Sequence, residues 1–466
     1  MADALKVLAF LFWGNFLPPI AAMLLEDRFN RPLDNGRTFF DNKPLFGPHK
    51  TMRGIIACLV GGTAAFPLLG LPWQTAATAA AWLMAGDLLS SFIKRRLSLE
   101  SGDSVCGLDQ FFEGLFPGLY LAHHLNLPFW QLAGALIIFV PVAHGGALFW
   151  KMMLFRPPVE NYPRIVRSRV RLREWRSCHQ PIMRWHTYLN LSSFLYNRVV
   201  VSTFFKLVGL HDQGLTNARQ IEVVEQVLFF TKLPKAFDGF KILLLTDLHL
   251  DGVADIVDTI LEKIKGRHFD LCLVGGDIRM ETYGPIAPCL RELKRLFTDV
   301  KSKEGAYGVL GNHDCIEMAP DFEEAGLLML INDAEQIERA NESIWLAGID
   351  DPHYYQTHDV AKAYAKIPTG AFSICLAHSP EAYQEAARQE ADLYLCGHTH
   401  GGQICLPDRT PIYTNSRAPR YTAKGKWEFL KMQGYTSCGV GASGAPLRFN
   451  CPGEICLITL ACATSD

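Results

Sequence analysis

The sequence predicts two fold classes in one chain: an α-helical membrane domain of about five spans, then an α/β domain in which strands and helices alternate. Three observations predict this. The 466 residues exceed what one compact domain normally holds. The first third is strongly apolar and contains long uncharged runs. From Lys241 onward, short apolar runs end one after another in Asp, Asn or His.

Composition narrows the function classes. Apolar residues make up 49% and charged residues 20%, an average over a membrane-like third and an ordinary soluble remainder. A formal charge of -2 gives no overall attraction to nucleic acid, so no nucleic-acid partner is expected. The 13 cysteines form no CxxC pair, which argues against a zinc ribbon or a thioredoxin-like site and for a reducing compartment. The N-terminal apolar run is too long for a cleavable signal and is followed by charged residues where a small-residue cleavage site would fall.

Val7 to Leu25 is the first expected span. A polar loop, Glu26 to Arg53, follows. Gly54 to Gly86 carries no charge and is broken near Pro72-Trp73-Gln74, which reads as a helical hairpin whose second arm runs to about Ile93. Leu108 to Leu127, with Asp109 and Glu113, is a weaker fourth span, and Pro128 to Trp150 is the fifth. Lys50 and Arg53, Lys94 to Arg96, and Lys151 with the arginines beyond it fall on one side, while the opposite loops hold no Lys or Arg. That bias places the N-terminus outside and the C-terminal domain in the cytoplasm, at an inner, multi-pass membrane.

The polar loops hold more than an anchor requires. Pro32-Leu33-Asp34-Asn35-Gly36, Phe46 to Gly54, Gly86-Asp87 running into Ser91 to Arg96, and Gly107-Leu108-Asp109-Gln110 resemble the membrane cytidylyltransferases of the CDP-archaeol synthase family. The resemblance covers roughly Leu5 to Met153 and is shared with the CDP-diacylglycerol synthases. It implies a CTP-using lipid enzyme. Asp34, Asp87 and Asp109 would hold magnesium, and Lys50, Arg53, Lys94, Arg95 and Arg96 would neutralise a nucleotide triphosphate and a lipid phosphate. Read as charges alone, the same residues are topology determinants or head-group contacts.

Domain 1–153 is thus the membrane unit, 154–220 a basic and amphipathic linker, and 221–466 the soluble domain. In the linker, Arg156 to Arg176 suits anionic head groups, and Trp185 to Leu210 reads equally as an interfacial helix or as a helix packed on the next domain.

In the soluble domain, Lys241 to Thr246 reads as a buried strand ending in Asp247-Leu248-His249. Asp255 to Lys265 has helical spacing, Asp270 to Gly275 is a strand ending in Gly276-Asp277, and Ala287 to Phe297 is a helix. Ala306 to Leu310 then leads into Gly311-Asn312-His313-Asp314, Phe372 to Ala377 into His378, and Leu393 to Leu395 into Gly397-His398-Thr399-His400. In such alternation ligands gather at the carboxyl edge of the sheet. Mixed carboxylate, amide and imidazole donors suit manganese, iron or zinc, and two such ions suit phosphate-ester hydrolysis.

The ordered string DLH, GD, GNHD, AH and GHTH resembles the calcineurin-like metallophosphoesterases. The resemblance implies a β-sandwich flanked by helices and a dinuclear site. In it Asp247, His249 and His400 hold one metal, Asp277 bridges, and Asn312, His378 and His398 hold the other. His313 would be the general acid or hydrogen-bond donor at the scissile phosphate, oriented by Asp314. Leu447 to Leu460 is similar to the membrane-associated, lipid-directed branch, which implies a phosphorylated lipid or nucleotide-lipid substrate. The expected function is therefore a membrane-bound phosphoesterase fused to a CTP-dependent cytidylyltransferase. The alternatives are a phosphoesterase on an inert anchor and a non-catalytic metal-binding scaffold. Asp350-Asp351 reads as a turn in preference to a pair near the site, Arg448 as a phosphate contact or a surface residue, Gly439 to Gly444 as a turn, and His353 and His358 as surface residues.

Overall fold

The computed structural model describes residues 2–25, 28–97, 99, 107–154, 162, 170, 173–174, 199–280, 282 and 286–463. The chain divides into two compact units, one comprising 1–157 with 167–172 and the other 158–166 with 173–466.

The first unit is helical: α1 (Ala2–Leu25), α2 (Met52–Thr63), the short α3 (Phe66–Leu69), α4 (Trp73–Arg96), α5 (Leu108–His124) and α6 (Phe129–Leu154). Among the described residues three stretches are long and apolar enough to cross a membrane, Ala2–Leu25, Trp73–Arg96 and Phe129–Trp150. With 12 and 17 residues, α2 and α5 fall short of the roughly 20 that a span takes. The uncharged stretch does bend where Pro72 precedes α4, and α2 and α3 together form its first arm. Val7, Phe10 and Leu11 of α1 are buried in one cluster with Ala76, Ala79 and Ala80 of α4 and Phe139 of α6. Small residues make this packing possible. A Cβ at Gly86 would lie 2.2 Å from the Phe112 carbonyl oxygen, so α4 and α5 meet backbone to backbone.

The second unit contains two six-stranded sheets. The first has the order β1 (Ile221–Phe230), β12 (Gly453–Cys462), β2 (Phe240–Leu245), β3 (Leu271–Val274), β4 (Ala306–Gly308), β5 (Leu328–Met329). The second runs β10 (Gly425–Phe429), β11 (Met432–Thr436), β9 (Leu393–Cys396), β8 (Ser373–Leu376), β7 (Glu342–Gly348), β6 (Asp333–Arg339). Pairing is parallel from β2 to β5 and from β7 through β8 and β9 to β11, and antiparallel at β12–β2, β6–β7 and β10–β11.

The central strands are buried on both faces, which is why they read as continuous apolar runs. Ile242 and Leu244 of β2 and Leu271 and Leu273 of β3 meet Leu346, Ile374, Leu376, Leu393 and Leu395 between the sheets. Leu243, Leu245, Cys272 and Val274 face outward, against Val257 and Ile260 of the helix Ile256–Ile264 and Leu293 and Leu296 of the helix Ala287–Asp299. Leu244 is fully buried at the sheet interface. Leu244→Ala is expected to cost ~2–5 kcal/mol, as an earlier thermal or denaturant transition of this unit.

Of the expected linker, the described part from 199 on contains the helices Ser202–Leu207 and His211–Ala218, which lead directly into β1. The earlier part of the expected Trp185–Leu210 helix lies outside the described residues.

Candidate metal centre

Each apolar strand stops where a polar ligand is needed, and the chain then turns sharply. Asp247, His249, Asp277, His398 and His400 all adopt left-handed backbone conformations, with φ of 50°, 43°, 53°, 71° and 50°. Such positions cost about 1–3 kcal/mol each outside glycine and concentrate at functional sites. The glycines of the motifs make room for the donors. A Cβ at Gly311 would lie 2.2 Å from Asp277 Oδ1, and one at Gly397 would lie 2.2 Å from Asp247 Oδ2.

These turns bring donors from five loops together. Asp247, His249 and His400 form one group with ligand atoms within 4.8 Å of one another, and Asp277, His378 and His398 form a second. Asp277, His249 and His313 form a third that overlaps both regions. Asn312 joins the second group through Oδ1, 2.9 Å from His378 Nε2. Asp277 lies between the groups. Its Oδ2 is 3.7 Å from His249 Nε2, 3.5 Å from His378 Nε2 and 3.9 Å from His313 Nε2.

The donor chemistry fits cations. Three imidazoles are each oriented by a backbone carbonyl: His249 Nδ1 faces the oxygen of Arg279 at 3.0 Å, His378 Nδ1 that of Gly275 at 2.9 Å, and His398 Nε2 that of Asn415 at 2.9 Å. Donation to those carbonyls leaves the inward nitrogen with its lone pair exposed. The inward nitrogens then face one another, His249 Nε2 and His400 Nε2 at 3.3 Å, and His378 Nε2 and His398 Nδ1 at 3.1 Å. Burial holds His249, His398 and His400 well below the usual histidine range, which disfavours imidazolium as the way to separate them. Divalent cations between the paired nitrogens would satisfy both sets.

Burial also pushes Asp247 and Asp277 up to about 6 without metal, chiefly because desolvation opposes their charge. Such raised carboxyls stabilise the metal-free fold below the unfolded value of 3.8 and lose that contribution as pH rises through about 6. Metal binding requires the ionised form, so loading should weaken as pH falls through the same window. Chelation is accordingly expected to lower the unfolding temperature of this unit more at pH 8 than at pH 5.5, measured by scanning calorimetry with and without EDTA.

His313 is held at both ends. Its backbone N–H donates to Asp277 Oδ1 at 2.8 Å, and its Nδ1 contacts the carbonyl oxygen of Met280. Nε2 therefore turns inward, 3.4 Å from Ser443 Oγ. Asp314, expected to orient His313, does something else. Its carboxylate accepts the backbone N–H groups of Gly311 at 2.9 Å and Ile278 at 3.0 Å, clasping the two ligand loops together.

Other residues depart from their sequence reading. His353 is not a free surface residue: its ring packs against His398 with centroids 4.0 Å apart and planes tilted by 41°, and its Nδ1 is 2.8 Å from Glu381 Oε1. No spacing signal marks it, because it reaches the site from outside the ordered string. Arg448 is not on the surface, and its Nη2 lies 3.4 Å from His400 Nδ1. It is fully buried, and Nη2 donates to the carbonyls of Cys438 at 2.8 Å and Gly439 at 3.0 Å. It thus fixes the loop that carries Gly439, where a Cβ would meet Asp247 Cβ at 2.8 Å. Asp351 caps the turn at residues 352–355, accepting the N–H groups of His353 and Tyr354, and its charge acts on Asp277, so it lies near the site. Behind His400, Cys405, Cys438 and Cys451 come from three separate segments into one buried cluster.

In the first unit, the residues expected to serve nucleotide transfer divide into two sets. Asp34 accepts backbone N–H groups of Gly36, Phe46 and Gly47, each at 3.0 Å, and so clasps its own loop. Arg53 donates to the Arg28 carbonyl and Asn30, and Arg96 pairs with Asp41 at 2.8 Å, both holding the same polar segment. Lys50 instead pairs with Asp87, and Asn15 donates to the buried Glu113. Lys94 and Arg95 are buried on α4. The side chain of Asp109 lies outside the described residues.

Residues 240–402 match the family model described as calcineurin-like phosphoesterase. An uncharacterized metallophosphoesterase of Bacillus subtilis, YkuE, is 31% identical over 258 residues, spanning 52% of this chain and 85% of that protein. The phosphodiesterase YaeI of Escherichia coli is 31% identical over 47% of this chain and 82% of its own length. A transmembrane protein with metallophosphoesterase domain from Danio rerio is 31% identical over 53% of this chain and 59% of its own. A solved structure titled "Structural insight into an intramembrane enzyme for archaeal membrane lipids biosynthesis" aligns at 27% identity over 31% of this chain and 92% of that one, with a TM-score of 0.28. With the matched stretch running from β2 through the last of the clustered histidines, and the Bacillus relative covered almost from end to end, the chain belongs to the calcineurin-like metallophosphoesterases.

Proposed function

We propose that the second unit hydrolyses a phosphodiester or pyrophosphate bond in a lipid or nucleotide-lipid. Asp247, His249 and His400 would hold one divalent ion, Asn312, His378 and His398 the other, and Asp277 would bridge them. The observation that supports this most is the position of Asp277 Oδ2, faced by His249 at 3.7 Å and His378 at 3.5 Å from the two donor groups. When bound, manganese, iron or zinc ions supply charge for the phosphoryl oxygens and make water a nucleophile at neutral pH. The chain supplies the rest. Carbonyl-oriented imidazoles preorganise the donors, buried carboxylates keep the site anionic, and His313 aims Nε2 where a phosphoryl or leaving oxygen would lie.

A lipid substrate is favoured by co-location, since a chain with membrane-length helices meets lipid phosphates at high effective concentration. The lysine and arginine bias of the loops favours a multi-pass inner membrane with this unit in the cytoplasm, an orientation that three or five crossings would both give. The test is manganese-dependent hydrolysis by purified full-length protein of bis(4-nitrophenyl) phosphate, phospholipid phosphates, CDP-lipids and UDP-acylglucosamines. Brisk cleavage of soluble nucleotides with every lipid untouched would sink the lipid reading.

A second activity, magnesium-dependent cytidylyl transfer from CTP to a lipid phosphate, is favoured by the Lys50–Asp87 pair beside the buried Glu113. Asp87→Asn should abolish CTP transfer and leave bis(4-nitrophenyl) phosphate hydrolysis intact. No transfer by the unaltered protein would instead leave the first unit as an anchor.

A further inference from the structure

We infer that the site-bearing edge of the second unit seats on the head-group layer of an anionic bilayer, so that the metal centre opens toward lipid phosphates. This extends the phosphoesterase reading and rests on it for the identity of the site.

Strand direction defines the edge. The donors leave the carboxyl ends of β2, β3, β8 and β9. β12 is antiparallel to β2 and β1 parallel to β12, so β1 begins at that same edge. The helices Ser202–Leu207 and His211–Ala218, which lead into β1, therefore enter this unit beside the metal centre. In chain order they follow the membrane-length helices.

The edge is apolar where a soluble protein would be polar. Phe204 is 57% exposed and Leu207 82% exposed. The neighbouring Phe205 stacks on Phe449 with ring centroids 5.1 Å apart, and Phe449 pairs with the start of the loop that follows the GHTH motif, its carbonyl accepting the Cys405 N–H at 2.9 Å. That loop exposes Leu406, Ile412 and Tyr413 by 48%, 58% and 69%. It is anchored on the donors themselves. It starts just after His400 and returns at Asn415, whose carbonyl faces His398 Nε2 at 2.9 Å.

Lys206, Arg409, Arg417 and Arg420 are exposed on the same elements, which suits apolar side chains inserted among anionic head groups. Exposed apolar side chains on adjoining elements, with four basic residues beside them and the acidic Asp212 and Asp408 also exposed, mark an interaction surface, and the membrane segments of the chain name its occupant. The turn at Leu430, 79% exposed, provides the contrast. It opens β11, which runs parallel to β9, so it lies at the opposite edge from the site.

The test uses full-length protein in nanodiscs of phosphatidylcholine and phosphatidylglycerol, with acyl chains either plain or brominated near the head group. Single variants Ile412→Trp, Leu406→Trp and Leu430→Trp are compared with the parent by difference fluorescence. The added emission at Ile412→Trp and Leu406→Trp should be quenched severalfold more by brominated lipid than that at Leu430→Trp. Equal quenching at both edges, or none at Ile412→Trp and Leu406→Trp, overturns the inference. Hydrolysis of bis(4-nitrophenyl) phosphate by each variant reports separately on the metal centre. Its absence in the parent would refute the phosphoesterase reading, while the quenching comparison would still decide whether this edge meets lipid.

Discussion

Asp277→Asn should reduce bound metal from about two ions per chain to one or fewer and lower hydrolysis of bis(4-nitrophenyl) phosphate by at least ~10³-fold. The substitution is nearly isosteric and keeps an oxygen at Oδ1 to accept the His313 N–H, which lies at 2.8 Å. What it removes is the anionic Oδ2 facing His249 and His378. An amide nitrogen there would point a donor at two cation sites. Gly311→Ala probes the same centre without changing any donor, because its Cβ would lie 2.2 Å from Asp277 Oδ1. It should lose metal in parallel, by displacement in place of charge. Elemental analysis and kinetics on the same preparations check both variants. Two metals retained in Asp277→Asn, with activity within ~10-fold of the parent, would remove Asp277 as the bridge.

How much of this centre was legible follows from what kind of information positions each residue. The strand ends were readable because a strand buried on both faces must be apolar, as β2, β3, β8 and β9 are, and a polar residue at its end then stands out. The glycines in GD, GN and GH were readable as motif letters, but their cause is spatial: Gly311 and Gly397 touch carboxylates from other loops. Nothing local reports such contacts. For the same reason Arg448 looked like a surface residue, since only the folded loop surrounds it with the carbonyls of Cys438, Gly439 and Cys451. For Asp314, adjacency to His313 suggests a side-chain contact, whereas its carboxylate accepts the backbone amides of Gly311 and Ile278. The three cysteines behind His400 have no paired spacing, yet tertiary structure makes them neighbours. Residues that reach a shared site from different elements leave no periodic trace.

His313→Ala should keep both metals and lower kcat by ~10²–10⁴-fold, with KM little changed. Its side chain is tied to the site through one atom. With Nδ1 engaged by the Met280 carbonyl, only Nε2 faces inward, and it lies 3.9 Å from Asp277 Oδ2. The backbone N–H that supports Asp277 survives the substitution. The size of the loss should depend on the leaving group. With Nδ1 donating to the Met280 carbonyl, Nε2 carries a proton only when the ring is an imidazolium; if that form gives its Nε2 proton to the departing oxygen, a 4-nitrophenolate leaving group needs the proton far less than an alkoxide does, so the loss should be larger for alkyl esters. If Nε2 only donates a hydrogen bond to the phosphoryl oxygens, the loss should be the same across leaving groups. Loss of metal would point to a third role, as a direct ligand, since His313 also forms a donor group with His249 and Asp277. Metal content measured beside a leaving-group series thus separates proton donor, oxyanion stabiliser and ligand at one nitrogen.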